Sequence, residues 1–219
     1  MSHPSKDSQS KTRERILLAA QELFYSYGIR SITMDDIARH LSISKKTIYH
    51  FFSDKHEIVQ MLCRLDCDHN ESRMQNIAEH AADAIDEVLQ SMDFLSDMLS
   101  KMNPNLIYDL QKYHPESWKE FNAFRERHLL GTVEANLKKG IKQGLYRSDI
   151  NIKIIARLRV EEVQMGLNPA LFSPSKFNLH DVQLALLEHF LFGILTMQGI
   201  RLLAKYKAGK KLKKQKVVA

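Results

Sequence analysis

Ser44, Lys45, Lys46, Thr47, Tyr49 and His50 fall within seven positions of the chain. Together they offer two hydroxyls, two ammonium groups, a phenol and an imidazole. On one short helix these groups donate and accept hydrogen bonds at base edges and phosphates, and none has the paired partner that bond-breaking chemistry requires. No GxSxG, HExxH or phosphate-cradling glycine loop occurs anywhere in the 219 residues. The chemistry on offer is therefore recognition, with duplex DNA as the natural target, and neither catalysis nor a cofactor is expected.

Recognition of that kind needs a rigid support, and the flanking sequence supplies the signals for one. Ile16, Leu17, Ala20, Leu23, Phe24 and Tyr27 recur at spacings of three and four, with Gly28 as the stop. Thr33 stands where an N-cap belongs, followed by MDDIARHL with Asp35 and Asp36 in the first turn. Ser44 caps the helix KKTIYHFF, and Ser53 and Asp54 cap the next. Ile37, Ala38, Leu41, Ile43, Ile48 and Phe51 form the apolar side of a helix-turn-helix unit whose second helix fits a major groove.

The stretch from Arg13 to Lys55, with ILLAAQELF, YGIRSITMDDIA and ISKKTIYHFFSDKHEIV, resembles the DNA-binding domain of the tetracycline-repressor (TetR) family of transcriptional regulators. The resemblance covers about the first sixty residues. It implies an all-α fold of about nine helices: a three-helix DNA-binding domain, then a larger helical domain that binds a small-molecule effector and dimerises through its last two helices. It also implies that Lys45, Lys46, Thr47 and Tyr49 meet bases or nearby backbone, and that Thr33, His50 and Lys55 meet phosphates; Ser44 is counted with them for its hydroxyl on the same short helix. One departure is Ser42, where the family very often carries glycine. A left-handed backbone there costs a non-glycine residue about 1 kcal/mol or more.

The remaining chain reads as longer helices. Ile85, Val88, Leu89, Met92, Leu95, Leu99 and Met102 make one stripe, ended by Asn103-Pro104. Pro115 fits a first helical position, opening a long helix that Gly144 stops. Residues 151–166 form another. The last helix, about 179–207, is apolar almost all round and needs cover on two faces, one of them from a second copy. Leu186, Phe190, Gly193, Ile194 and Met197 are the candidate dimer residues. Tyr108, Tyr113, Trp118, Phe121, Phe124 and Met165 are an adaptable set for an apolar effector pocket. The expected division is a flexible lead over 1–10, a DNA-binding domain over 11–56, a ligand-binding and dimerisation domain over 57–207, and a basic tail over 208–219.

Two cysteines, Cys63 and Cys67, exclude a disulfide framework and fit a reducing cytoplasm. Their spacing matches no standard zinc pattern, so no metal is expected. Charge alone is a poor guide to the partner. The formal +6 arises from residues 201–219, which hold eight basic residues and no acidic one; residues 57–100 hold ten acidic and two basic. The reading is a homodimeric repressor on a pseudo-palindromic operator, released by an effector. Its competitors are a dimeric DNA-organising protein without a switch, and a ligand carrier or enzyme with a vestigial DNA-binding domain.

Overall fold

The computed structural model describes residues 6–217, with side chains over 9–209. Its described residues are helical, without a named strand. Helix α1 spans Lys6–Tyr27, α2 Met34–Leu41, α3 Lys45–Phe51, α4 Lys55–His80, α5 Ala84–Ser100, α6 Leu106–Tyr113, α7 Pro115–Phe124, α8 Leu130–Lys142, α9 Ile152–Gly166, α10 Leu179–Ile194 and α11 Met197–Val217; a π-helical turn, Arg125–Leu129, joins α7 to α8. Helix α1 begins at Lys6, so the part of the expected flexible lead that is described is helical. Residues 1–5 lie outside the described residues, as do 218–219 of the tail.

The chain packs as two units. The first comprises Met1–His69 with Leu99–Phe124, and the second Asn70–Met98 with Arg125–Ala219. Helices α6 and α7 thus pack with the N-terminal helices, a partnership not foreseen from sequence.

The first unit closes around Ile16, Ala20 and Phe24 of α1, Ile37 and Ala38 of α2, Ile48 of α3, Phe52, Ile58 and Leu62, with Leu110 of α6. Each fully buried aliphatic or aromatic side chain contributes about 1.5–3 kcal/mol, which is what holds helices as short as α2 and α3 in place. Gly28 ends α1 with φ +82°, and its N–H donates to the Phe24 carbonyl at 2.9 Å. The loop that follows is gripped from α6, where buried Asp109 accepts the Arg30 N–H at 2.9 Å.

The second unit is built on Ile85, Met92, Leu137, Tyr146, Ala156, Leu187, Leu191, Ile194 and Leu203. Tyr146 is nearly inaccessible; its hydroxyl lies 3.0 Å from the Ala84 carbonyl and 3.1 Å from Asn136 Oδ1. Burial pushes its phenol well above the ordinary range. Its ring fills the space beside Gly140, where an added Cβ would come within 2.1 Å of it.

The expected single helix over 179–207 is two. Leu195 is extended (φ −70°, ψ 143°) and forms an isolated antiparallel bridge with Tyr146. Arg147 N–H donates to the Ile194 carbonyl at 2.8 Å, and Thr196 N–H to the Leu145 carbonyl at 2.9 Å. These bonds draw the backbone out of the helix. Thr196 then restarts it, its hydroxyl oxygen accepting the Gly199 N–H at 3.1 Å. The expected continuous helix from Pro115 is likewise interrupted, by the π-helical turn.

Candidate nucleic-acid interface

Helix α2 is held at its start by a reciprocal cap. Thr33 Oγ1 accepts the Asp36 N–H at 3.2 Å, while Asp36 Oδ2 accepts the Thr33 N–H at 2.9 Å. The Thr33 hydroxyl, donating to Asp36 Oδ2 at 2.6 Å, and then the Thr33 N–H hold the Asp36 carboxyl below the usual carboxylate range, with a smaller pull from Arg39 at 3.2 Å. At its end, Ser42 adopts φ 55°, ψ 39°, the sole non-glycine residue with positive φ among the described residues. Its N–H donates to the Arg39 carbonyl at 3.1 Å, and Ile43 N–H to Ala38 at 3.0 Å. The bonds of this tight turn offset the backbone strain.

Ser44 opens α3, its Oγ accepting the Thr47 N–H at 3.0 Å, with the two hydroxyl oxygens 2.8 Å apart. Ile48 is fully buried and fixes the helix to the core, so Lys45, Lys46, Tyr49 and His50 face outward. Tyr49 keeps 46% of its surface exposed, with Lys45 Nζ 5.9 Å from its ring centre. The His50 ring stands edge-on to Phe51 at 5.0 Å. Thr33 is exposed as well, and Thr47 half-buried. Seven of the eight expected contact residues therefore lie together around α2 and α3.

Lys55 does not join them. Its ammonium donates to the Ile29 carbonyl at 3.0 Å and the Ile32 carbonyl at 2.8 Å, and partial burial lowers its pKa. This cation is spent on the loop before α2. Asp35, by contrast, is a participant that sequence reading missed. It pairs with Lys45 across the turn, Oδ1 at 2.9 Å, and raises the Lys45 pKa. The signal was available: an acid in the first turn of α2 and a base in the first turn of α3, joined by a short turn.

The six expected effector residues do not form one set. Tyr108 is exposed and bonded to Lys112 Nζ at 2.9 Å. Tyr113 lies beneath Arg30 at 5.4 Å. Trp118 and Phe121, 5.5 Å apart, pack onto the core of the first unit, and Phe124 is buried. Met165 belongs to the second unit and is exposed.

The dimer set also divides. Phe190 and Ile194 are buried in the core of their own unit, Ile194 to 1% exposure, because both face inward from α10. Leu186 is half-buried beside Gly166. Gly193 opens onto free space, and Met197 is 67% exposed. Phe192 and Leu184 join the outward side. Cys63 is buried, its thiol directed at the Ser117 carbonyl at 3.5 Å, and Cys67 is half-buried. A hydrogen bond between the two thiols lowers the pKa of Cys63 and raises that of Cys67.

Residues 16–62, the segment whose caps and anchors have just been traced, match the family model for bacterial regulatory proteins of the tetR family. The likeness to that family rests on this segment, 47 of the 219 residues. The HTH-type transcriptional regulator YvaF of Bacillus subtilis is 29% identical over 112 residues, covering 51% of this chain and 58% of YvaF. The chain thus spans little more than half the length of that relative. The HTH-type transcriptional repressor KstR2 of Mycobacterium tuberculosis is 27% identical over 150 residues, 66% of this chain and 74% of KstR2. A transcriptional regulator from Saccharomonospora viridis, solved in complex with choline, superposes with a TM-score of 0.71 at 21% identity, over 85% of this chain and 99% of that one. The likeness of fold thus extends well beyond the matched segment, and no helix among the described residues is long and apolar enough to cross a membrane.

Proposed function

We propose that this chain is a homodimeric transcriptional repressor of the tetR family that reads a pseudo-palindromic operator with α3 and releases it when a small-molecule effector occupies the larger unit. The observation that carries the reading is the outward display of Lys45, Lys46, Tyr49 and His50 from a seven-residue helix anchored by Ile48. Lysine at two adjacent positions suits guanine O6 and N7 or flanking phosphates, and the phenol suits a base edge or a thymine methyl. Dimerisation has support from the large apolar residues left exposed on α9, α10 and α11: Ile154, Leu158, Met165, Leu184, Phe192 and Met197. In that assembly two copies of α3 enter successive major grooves about 34–36 Å apart.

The effector works by binding one conformer better than the other, lowering operator affinity by that difference. KstR2 is described as a ketosteroid regulator and the S. viridis protein holds choline. Ligands so different leave this chain's effector open. The protein acts as a cytoplasmic, non-catalytic regulator in this reading.

Selection of bound duplexes from a random library tests it. The expected product is a two-fold related pair of half-sites, with affinity lost when Lys46 and Tyr49 are replaced by alanine. Enrichment of no sequence would instead support a DNA-organising role and reject the repressor reading.

A further inference from the structure

We propose that Cys63 and Cys67 are an oxidation site, closing into a reversible disulfide when a peroxide reaches them and so releasing Cys63 from the Ser117 carbonyl of α7. The two residues stand four apart on the unbroken helix α4, one above the other on a single face. Both belong to the first unit, Cys63 within its core and Cys67 half-buried against it.

Their contacts give the thiols unequal roles. The Cys63 S–H is directed at the Ser117 carbonyl at 3.5 Å, and the Cys67 S–H donates to the Cys63 sulfur. A sulfur that accepts such a bond is the better thiolate, so Cys63 is the nucleophile and half-buried Cys67 the resolving partner. That bond lowers the Cys63 pKa, against burial and the carboxylates of Glu120 and Asp66. A zinc site needs four ligands, and no group of three or more His, Cys, Asp or Glu among the described residues is placed to hold a metal ion. The arrangement therefore favours oxidation over metal capture.

The reaction with hydrogen peroxide balances within the pair. The Cys63 thiolate attacks one oxygen, the O–O bond breaks, and the departing hydroxide takes up the proton that Cys63 released, leaving as water. The Cys67 sulfur then attacks the Cys63 sulfenic acid, the S–O bond breaks, and the hydroxyl leaves as water with the Cys67 proton. The sulfurs are oxidised to the disulfide and the peroxide is reduced.

Helical geometry admits this bond under tension. Four residues of α-helix place the Cα atoms about 6 Å apart, inside the range that disulfides span. The Cβ atoms stand about 5–6 Å apart, however, where a disulfide needs roughly 3.5–4.5 Å. The turn must tighten by about 1 Å, which draws the Cys63 sulfur off the Ser117 carbonyl. A bond formed under such tension is readily reduced, as a reversible mark requires. Glu120 keeps its bonds to Gln60 and Arg64, so α7 is loosened from α4 and stays docked.

The test treats the full chain with a modest excess of hydrogen peroxide, then applies thiol titration, a non-reducing gel and peptide mass spectrometry. Trypsin cuts after Arg64, between the two cysteines, so the disulfide is read as two linked peptides that dithiothreitol parts. The expected result is loss of both free thiols within a single chain, with an unfolding midpoint lower by roughly 2–4 °C. Cys67→Ser lacks the resolving thiol, and its Cys63 is expected to accumulate as a sulfenic acid trapped by dimedone. Free thiols that survive the peroxide overturn the proposal. So do a bond formed between chains, over-oxidation of either cysteine without the cross-link, and a midpoint that does not fall. None of these readouts uses DNA, so this site and the repressor reading fail separately.

Discussion

Asp35 and Lys45 face each other across the turn between α2 and α3, carboxylate oxygen to ammonium at 2.9 Å. The pair places a negative charge beside a helix otherwise suited to a polyanion, and it holds Lys45 in one orientation before any partner arrives. Replacing Asp35 with asparagine frees the cation. The expected outcome is tighter binding to duplex DNA by severalfold, with a salt slope steeper by about 0.9 per chain, and little change in the unfolding midpoint because both groups are exposed. Anisotropy titrations at several salt concentrations check it. An unchanged slope would show that Asp35 withholds no phosphate contact from Lys45.

Ser42 carries a left-handed backbone that glycine adopts without strain. Ser42→Gly is expected to raise stability by up to about 1 kcal/mol, the gain being reduced by the extra freedom of glycine in the unfolded chain. Ser42→Val is expected to lower it by more than about 1 kcal/mol, since a β-branched residue fits that region poorly. Urea unfolding of both variants decides the matter; equal destabilisation would refute the strain argument.

His114 is buried between α6 and α7 with Nδ1 unpartnered, and its ring lies 4.5 Å from that of His56. Burial, then the neighbouring His56 and Lys55, push its pKa down to about 4, against a smaller opposing pull from Asp109 and Asp54. The folded state therefore holds this ring neutral where the unfolded state, with a pKa near 6.5, takes up a proton. Its contribution to stability is complete above about pH 6.5 and is lost as pH falls toward 4. Unfolding midpoints measured from pH 7 to 4.5 should fall less steeply for His114→Gln than for the parent chain.

Phe192 and Ile194 are two residues apart on α10 and meet opposite environments, one 57% exposed and the other 1%. Phe192→Asp is expected to leave the chain folded and shift it from dimer to monomer by light scattering. Ile194→Asp should abolish cooperative unfolding, because a buried unpaired carboxylate costs several kcal/mol. A Phe192→Asp chain that remains dimeric would move the interface elsewhere.

Local chemistry made much of the fold legible. Thr33 and Ser44 cap helices, and Gly28 and Gly144 end them with positive φ; each signal acts within four residues and can be read without a tertiary structure. The break at Leu195 could not be read from periodicity, because the apolar pattern runs through it. Its cause is pairing with the turn around Tyr146, about fifty positions earlier. The outward positions of α3 followed from the single anchor at Ile48. The intramolecular partners of Lys55 were hidden for a related reason: a basic residue at a helix start resembles a free cation until the carbonyls of Ile29 and Ile32 are seen beneath it.

That same ammonium has a mechanical consequence. Lys55 stands at the first residue of α4, and its two acceptors flank the loop that leads from α1 into α2. One end of the connecting helix and the approach to the reading motif are thereby bolted at a single point, with Asp109 clamping the loop at Arg30. Through these bonds a tilt of α4's first turn pulls directly on the loop that leads into α2.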